Sequence, residues 1–412
     1  MTYANIDADR LWSRQTETDK IGATAAGGAH RMALTPEDIA CHRLIADICL
    51  ARGWRLELDA IGNMFAIRAG TSDDLPPIAS GSHTDSQPMA GRFDGMSGTL
   101  AALEAIEAID DAGISTKAPL MLAVWNNEEG PRFSPACMGS AVYTGVRSLE
   151  EVIDQVDADG ISLRSCIEDL NAAIPEAETR ELAAPLGAFL ESHIEQGIEL
   201  ESSGNVIGVV TGMQGYRRWK IDVTGEDAHS GTMPISRRKD AFVAATDMAV
   251  AMRHAFADET DEMRFTIGRF DVRPGGISVV PGHVHFTVDM RHPSSDLIMQ
   301  QGNRISEICQ ANKGPCEVSV EEFINSTTLE FPEDIRAMFA AAADRRGIPH
   351  QPIFSRASHD ARHASRLCPA GMIFIPCKDG ISHNEAESAT KEDCAAGAQV
   401  IADVMLDLAG TA

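Results

Sequence analysis

The chain has 412 residues, with 35 Lys+Arg against 61 Asp+Glu and a net charge of −26. That length exceeds what one hydrophobic core usually organises, so two domains are expected, and 44% hydrophobic with 23% charged residues is an ordinary globular composition. The negative charge repels phosphate backbones and anionic membranes, which argues against nucleic acid and membrane surfaces as partners.

The N-terminal stretch MTYANIDADRLWSRQTETDK is polar and lacks an apolar signal core, and no uninterrupted apolar run of about 18 residues follows, so a cytoplasmic protein is expected. From about Thr35 to Val124 helical and strand-like stretches alternate. A helix is predicted over 38–53, a strand over 77–81, a helix over 95–110 with Met96, Leu100, Leu103 and Ile106 on one face, and a strand over Leu120–Trp125. Short apolar strands separated by amphipathic helices predict a largely parallel α/β sheet, whose strand carboxyl ends are where open sheets bind ligands.

After Thr211-Gly212 the rhythm changes, and Trp219, Ile221 and Val223 alternate with polar residues. A helix over 239–254, strands over 264–272 and 283–291, a helix over 296–311 and a strand over 317–323 give a β-α-β-β-α-β order, the split ferredoxin-like unit. The α/β rhythm resumes with a helix over 332–346, a strand over 372–376 and a helix over 390–408. The expectation is a discontinuous catalytic domain, 1–212 with 328–412, interrupted by an inserted domain over 213–327.

The nine cysteines form no C-x-x-C pair, so a metal here would use His and carboxylate. Gly81-Ser-His83-Thr-Asp85 closes a strand and Asp94 follows at the head of a helix. Asp85, two residues from His83 along an extended chain, is placed to accept the second imidazole N–H. Asp94 alone would read as a helix cap. Glu128 and Glu129 end another apolar strand, where two adjacent buried carboxylates are costly without a cation between them, although alone they also read as a solvated turn. If a cation is there, one can ligate while the other takes a proton from water. His193 and His383 again follow apolar strands. Each alone reads as a structural histidine, but together with the acids they suggest a shared centre.

The stretches GATAAGGAHRMALTPED, GSHTDSQPMAGRFDGMSG, WNNEEGPRFSPACMGS, ESHIEQG, GEDAHSGTMPISRRKDA, SVVPGHVHFTVDMR, and SHDA followed by GMIFIPCKDGISHNEAE span nearly the whole chain. In this order they resemble the amidase/hydantoinase/carbamoylase branch of the dinuclear aminoacylase and carboxypeptidase superfamily. The branch includes N-carbamoyl-L-amino acid, allantoate and ureidoglycolate amidohydrolases. The resemblance implies an α/β fold with a largely parallel sheet, a dinuclear metallopeptidase-like catalytic domain, and an inserted ferredoxin-like lid and dimerisation domain.

Carried over residue by residue, the resemblance implies that His83, Asp94 and His193 hold one metal and Asp94, Glu129 and His383 a second, with Asp94 bridging. Zinc or manganese is the first expectation, with cobalt or nickel also compatible. Glu128 is then the general base and Asp85 orients His83. Gln196 resembles the glutamine that contacts the ureido group, His229 the histidine that stabilises the oxyanion from a partner subunit, and Arg291 the arginine that grips the substrate carboxylate. A homodimer follows.

Two positions depart from the family pattern. Ser278 stands where the family usually has an Asn that helps hold the carboxylate, and Ser355-Arg356-Ala-Ser358-His359-Asp360 stands where relatives read Ser-Gly-Ala-Gly-His-Asp. Arg356 there fills space and adds positive charge near the substrate. The expected reaction is hydrolysis of the carbamoyl C–N bond of a small N-carbamoyl amino acid. Alternatives are an allantoate or ureidoglycolate amidohydrolase, an N-acyl amino acid deacylase or dipeptidase, and a non-catalytic ligand-binding dimer.

Overall fold

Four parallel strands, Ile78–His83, Leu120–Trp125, Ala188–Ile194 and Ala370–Ile375, form the middle of a large sheet. They belong to a computed structural model that describes residues 3–72, 74–260 and 262–411. Every residue of the four strands is buried, which explains why they read as continuous apolar runs rather than alternating ones. On one side Met64–Arg68 and Arg55–Leu58 add antiparallel, and on the other Ile207–Met213 adds antiparallel. Because the four central strands run the same way, their carboxyl ends share one edge of the sheet.

Helix Met96–Asp111 is buried on nearly every face and packs between the sheet and the closing helix Lys391–Ala409, which starts on a Thr390 cap. Helix Pro36–Ala51 starts earlier than the apolar pattern predicts because Thr35 caps it and Pro36 supplies the first turn. Helix Ala8–Thr18 has no counterpart in the sequence reading. It starts on an Asp7 cap, buries Leu11 in the core, and is tied down by ion pairs: Arg10 Nε lies 2.7 Å from the buried Glu104, and Arg14 pairs with the buried Glu107.

Contact density divides the chain into two compact units, one of the residues up to Thr211 together with those from Phe331, the other of Gly212–Glu330. In the second unit the antiparallel sheet runs in the order Arg264–Arg273, His283–His292, Gly215–Thr224, Glu317–Ser326. Trp219, Ile221, Val223, Val284, Phe286, Val288 and Met290 face one apolar core. Helix Ala241–Ala255 and a broken helical segment supply the other side of that core.

Two elements of this unit differ from the sequence reading. The helix expected over 296–311 is two helices, Ser295–Gly302 and Arg304–Asn312. The Arg217 guanidinium bonds Met299 O and Asn303 Oδ1, both at 3.1 Å, and a Cβ on Gly302 would lie 2.3 Å from Arg217 Nη1. A buried arginine therefore occupies the space at the break. The last strand continues to Ser326 through a register shift between Glu322 and Ile324.

Candidate active site

The first unit carries His83, Asp94, Glu128, Glu129, His193 and His383, and all six converge at the carboxyl edge of the parallel strands. Two groups of three donors form there, His83 with Asp94 and His193, and Asp94 with Glu129 and His383, the ligand atoms of each lying within 4.8 Å of one another. Asp94 belongs to both and divides its oxygens between them. Oδ1 is 3.0 Å from His193 Nε2 and 3.5 Å from His83 Nε2, whereas Oδ2 is 3.3 Å from His383 Nε2. Glu129 Oε2 lies 3.5 Å from His383 Nε2. The helix behind Asp94 begins at Gly95, with no side chain bonded to its cap, so Asp94 spends its carboxylate on the histidines rather than on capping. Gly95 has φ +63°, and a Cβ there would lie 2.2 Å from the His83 ring, so the approach requires glycine.

Backbone carbonyls fix both buried rings. His83 Nδ1 donates to Asp85 O at 2.9 Å and His193 Nδ1 to Ile194 O at 2.9 Å, which turns each Nε2 toward Asp94, with Gly95 N also 3.3 Å from His193 Nε2. Asp85 thus meets His83 through its carbonyl, with its carboxylate farther off, 3.7 Å from His83 Nδ1. Its two oxygens accept the backbone N–H of Glu128 and of Glu129, each at 3.1 Å. Those amides lie past the end of strand Leu120–Trp125, where no ladder partner meets them. Asp85 therefore bonds the backbone of both acids with its carboxylate and meets His83 most closely through its own carbonyl.

Glu128 is aimed by its surroundings. Cys137 Sγ donates to Oε1 at 3.0 Å, while Oε2 lies 3.7 Å from His83 Nε2, on the side of the donors. Asn127, Gln196 and His383 have φ of +53°, +57° and +53°, left-handed backbone at three non-glycine positions of one site. Gln196 Nε2 donates to Asp94 Oδ2 at 2.7 Å.

The electrostatics fit a divalent-cation centre. As protein groups alone, Glu128 is pushed well above the usual carboxylate range by burial, with Asp360 and Glu129 adding to it. Burial, with Asp94 adding, pushes Glu129 up to about 7. Burial works against the charge of Asp94 too, yet His193, His383 and His83 hold it well below its ordinary value. Four carboxylates, Asp85, Asp94, Glu128 and Glu129, are crowded into a nearly dry space that two divalent cations would neutralise. The mixed nitrogen and oxygen donors suit zinc, manganese, cobalt or nickel.

Several residues at the site were not picked out from the sequence. Gln87 Nε2 donates to Glu129 Oε2 at 2.9 Å, and Glu191, two residues before His193, accepts from Ser82 Oγ at 2.8 Å. His359 packs against His193 with ring centroids 4.4 Å apart and the rings tilted by 57°. Ser382 and Glu387 surround Asp94. All of them lie inside the quoted motifs, which was the available signal; burial and partners were not readable from residue type.

Of the remaining expected residues, Arg356 is exposed on the first unit, just after strand His350–Ser355. The second unit carries His229, Ser278 and Arg291. His229 and Ser278 are exposed and adjacent, since Val279 pairs with His229 and Ser230 N donates to Ser278 O at 3.0 Å. Arg291 Nε donates to Asp289 Oδ1 at 2.8 Å, and Arg218 shares that carboxylate at 2.6 Å. A substrate carboxylate at Arg291 would therefore compete with Asp289.

The model of a family described as Peptidase family M20/M25/M40 matches residues 79–407. An N-carbamoyl-L-amino-acid amidohydrolase of Rhizobium meliloti is 35% identical over 408 residues, 98% of this chain and 97% of the relative. A ureidoglycolate hydrolase of Arabidopsis thaliana is 30% identical, covering 96% of this chain and 86% of its own. A crystal structure of a hydantoinase/carbamoylase family amidase from Burkholderia vietnamiensis superposes with a TM-score of 0.87 at 38% identity, covering 98% of each chain.

Proposed function

Because the chain belongs to the peptidase family M20/M25/M40, within its amidase/hydantoinase/carbamoylase branch, we propose that it hydrolyses the carbamoyl C–N bond of a small N-carbamoyl amino acid. The protein is an amidohydrolase; the products of the proposed reaction are the amino acid, ammonia and carbon dioxide. The observation that carries this reading is the division of the Asp94 oxygens between two three-donor groups, with the buried Glu128 beside them.

Two divalent cations, with zinc or manganese as the first choice, would polarise the carbamoyl oxygen and make the attacking water more acidic when bound. They would be held by His83, Asp94 and His193, and by Asp94, Glu129 and His383. Glu128 receives the proton of the attacking water at Oε2 while Cys137 holds Oε1, and the same carboxyl then protonates the leaving amine. The carbamate released falls apart to ammonia and carbon dioxide. Asp85 keeps Glu128 and Glu129 in register through their amides. Gln196, beside Asp94, is assigned to the ureido group. His229 is assigned to the oxyanion and Arg291 to the substrate carboxylate, with Ser278 beside His229 and Arg356 shaping the choice of substrate.

We assign self-association to the second unit. Helix Ala241–Ala255 exposes Phe242, Val243 and Val250, and strand Arg264–Arg273 lies at a sheet edge with one side unpaired in the described sheet.

The second reading is a ureidoglycolate or allantoate amidohydrolase, favoured by the Arabidopsis relative. The deciding experiment is ammonia release by purified protein, stripped and reloaded with zinc or manganese. The panel is N-carbamoyl-L-amino acids, β-ureidopropionate, allantoate and ureidoglycolate. Release from an N-carbamoyl-L-amino acid supports the first reading, and preference for ureidoglycolate or allantoate supports the second. Silence across the panel redirects the assignment to N-acyl amino acids or dipeptides, whose scissile bond frees no ammonia.

A further inference from the structure

Glu387 belongs to neither three-donor group, yet it is bound to the backbone of Asp94. It is buried, and its Oε1 accepts the backbone N–H of Phe93 at 2.9 Å and of Asp94 at 3.0 Å. Its Oε2 faces Ser382 Oγ at 2.9 Å, and that hydroxyl lies 3.0 Å from Asp94 Oδ2. Glu387 thus holds the Asp94 backbone directly, and the single Ser382 hydroxyl proton lies between the Glu387 and Asp94 carboxylates.

The approach is built for this contact. A Cβ on Gly91 would stand 2.0 Å from the Glu387 carboxyl carbon, so glycine is required where Glu387 reaches in. The turn that carries Glu387 is closed by its own N–H on Asn384 O at 3.0 Å and by Ala386 N on Asn384 Oδ1 at 2.9 Å. The same turn bears His383, at φ +53°. One short loop therefore supplies a ligand of the second group and the hold on the carboxylate shared by both. Placing a second carboxylate beside Asp94 in a dry site opposes folding unless its oxygens find donors, and here Oε1 has two amide N–H groups and Oε2 faces the Ser382 hydroxyl.

We propose that Glu387 is a positioning residue that sets Asp94 as the shared ligand and, with Ser382, ties the His383 loop to it. The proposal rests on the reading of Asp94 as the bridging ligand and is independent of which substrate is cleaved.

The test is equilibrium binding of zinc and of manganese, by dialysis and elemental analysis, to the full-length wild type and its Glu387→Ala, Glu387→Gln and Ser382→Ala variants. Glu387→Ala should weaken both ions by about 10–100-fold, the usual cost of losing a partner that orients a ligand. Glu387→Gln keeps an oxygen for the two amides and should restore most of that affinity. Ser382→Ala should weaken the ion at His383 and Glu129 more than the one at His83 and His193. If Glu387→Ala does not fold, the Ser382→Ala asymmetry decides. Wild-type affinity for both ions in Glu387→Ala, no rescue by Gln, or equal loss at both ions in Ser382→Ala would overturn the proposal alone. A wild type that takes up fewer than two ions would overturn the bridging role of Asp94 and the proposal with it.

Discussion

The Asp85 carboxylate accepts the backbone N–H of Glu128 at 3.1 Å, and its other oxygen does the same for Glu129. One side chain therefore sets the height of both the proposed base and a proposed ligand above the strand end. Asp85→Ala should lower kcat by about 10²-fold, the scale of a misplacement near 1 Å. Steady-state ammonia release with metal content measured on the same sample checks this, and unchanged kcat would remove Asp85 from its role.

Glu128 offers the cleanest separation of binding from chemistry, because it belongs to neither three-donor group. Glu128→Gln should bind two ions as the wild type does while turnover falls by about 10²–10⁴-fold, the usual range for a general base. Elemental analysis and single-turnover ammonia release on one preparation provide the comparison.

His363 gives a pH dependence away from the metal donors. Burial, reinforced by Arg362, Arg366 and Arg147, lowers it from 6.5 to about 4, so the folded protein holds it neutral. The unfolded chain binds the proton first as pH falls. Its contribution is therefore complete above about pH 6.5 and is lost towards pH 4, by up to about 3 kcal/mol. His363→Gln should flatten the fall in urea midpoint between pH 7.5 and pH 4.5, and an unaltered slope would refute the assignment.

Self-association through the second unit has a direct test. Phe242→Glu with Val250→Glu places charge on the exposed apolar face of helix Ala241–Ala255. Light scattering should report a dimer for the wild type and a monomer for the double variant. Dimers in both would move the interface elsewhere.

Much of the catalytic unit was legible because its signals are local. Buried parallel strands appear as apolar runs, and acids and histidines placed just after them mark the ligand edge, as at His83 and Glu128. Strand Leu120–Trp125 was bounded correctly because apolar residues fill it from end to end. Helix Ala8–Thr18 was not seen because it has few apolar residues, and part of what holds it, the ion pairs to Glu104 and Glu107, is distant in sequence. The break at Asn303 depends on Arg217, far away in sequence. Ser382 and Glu387 escaped notice for the same reason. Each is an ordinary polar residue until the distant head of helix Met96–Asp111 brings Asp94 to it.

The most direct measurement of the central claim is ammonia release from an N-carbamoyl-L-amino acid as metal-stripped protein is titrated with zinc or manganese, with bound metal counted at each point. The account predicts that stripped protein is inactive and that turnover rises to its plateau as the second ion per chain is taken up. Full turnover by stripped protein, or a plateau reached with one ion bound, would contradict a two-cation centre bridged by Asp94.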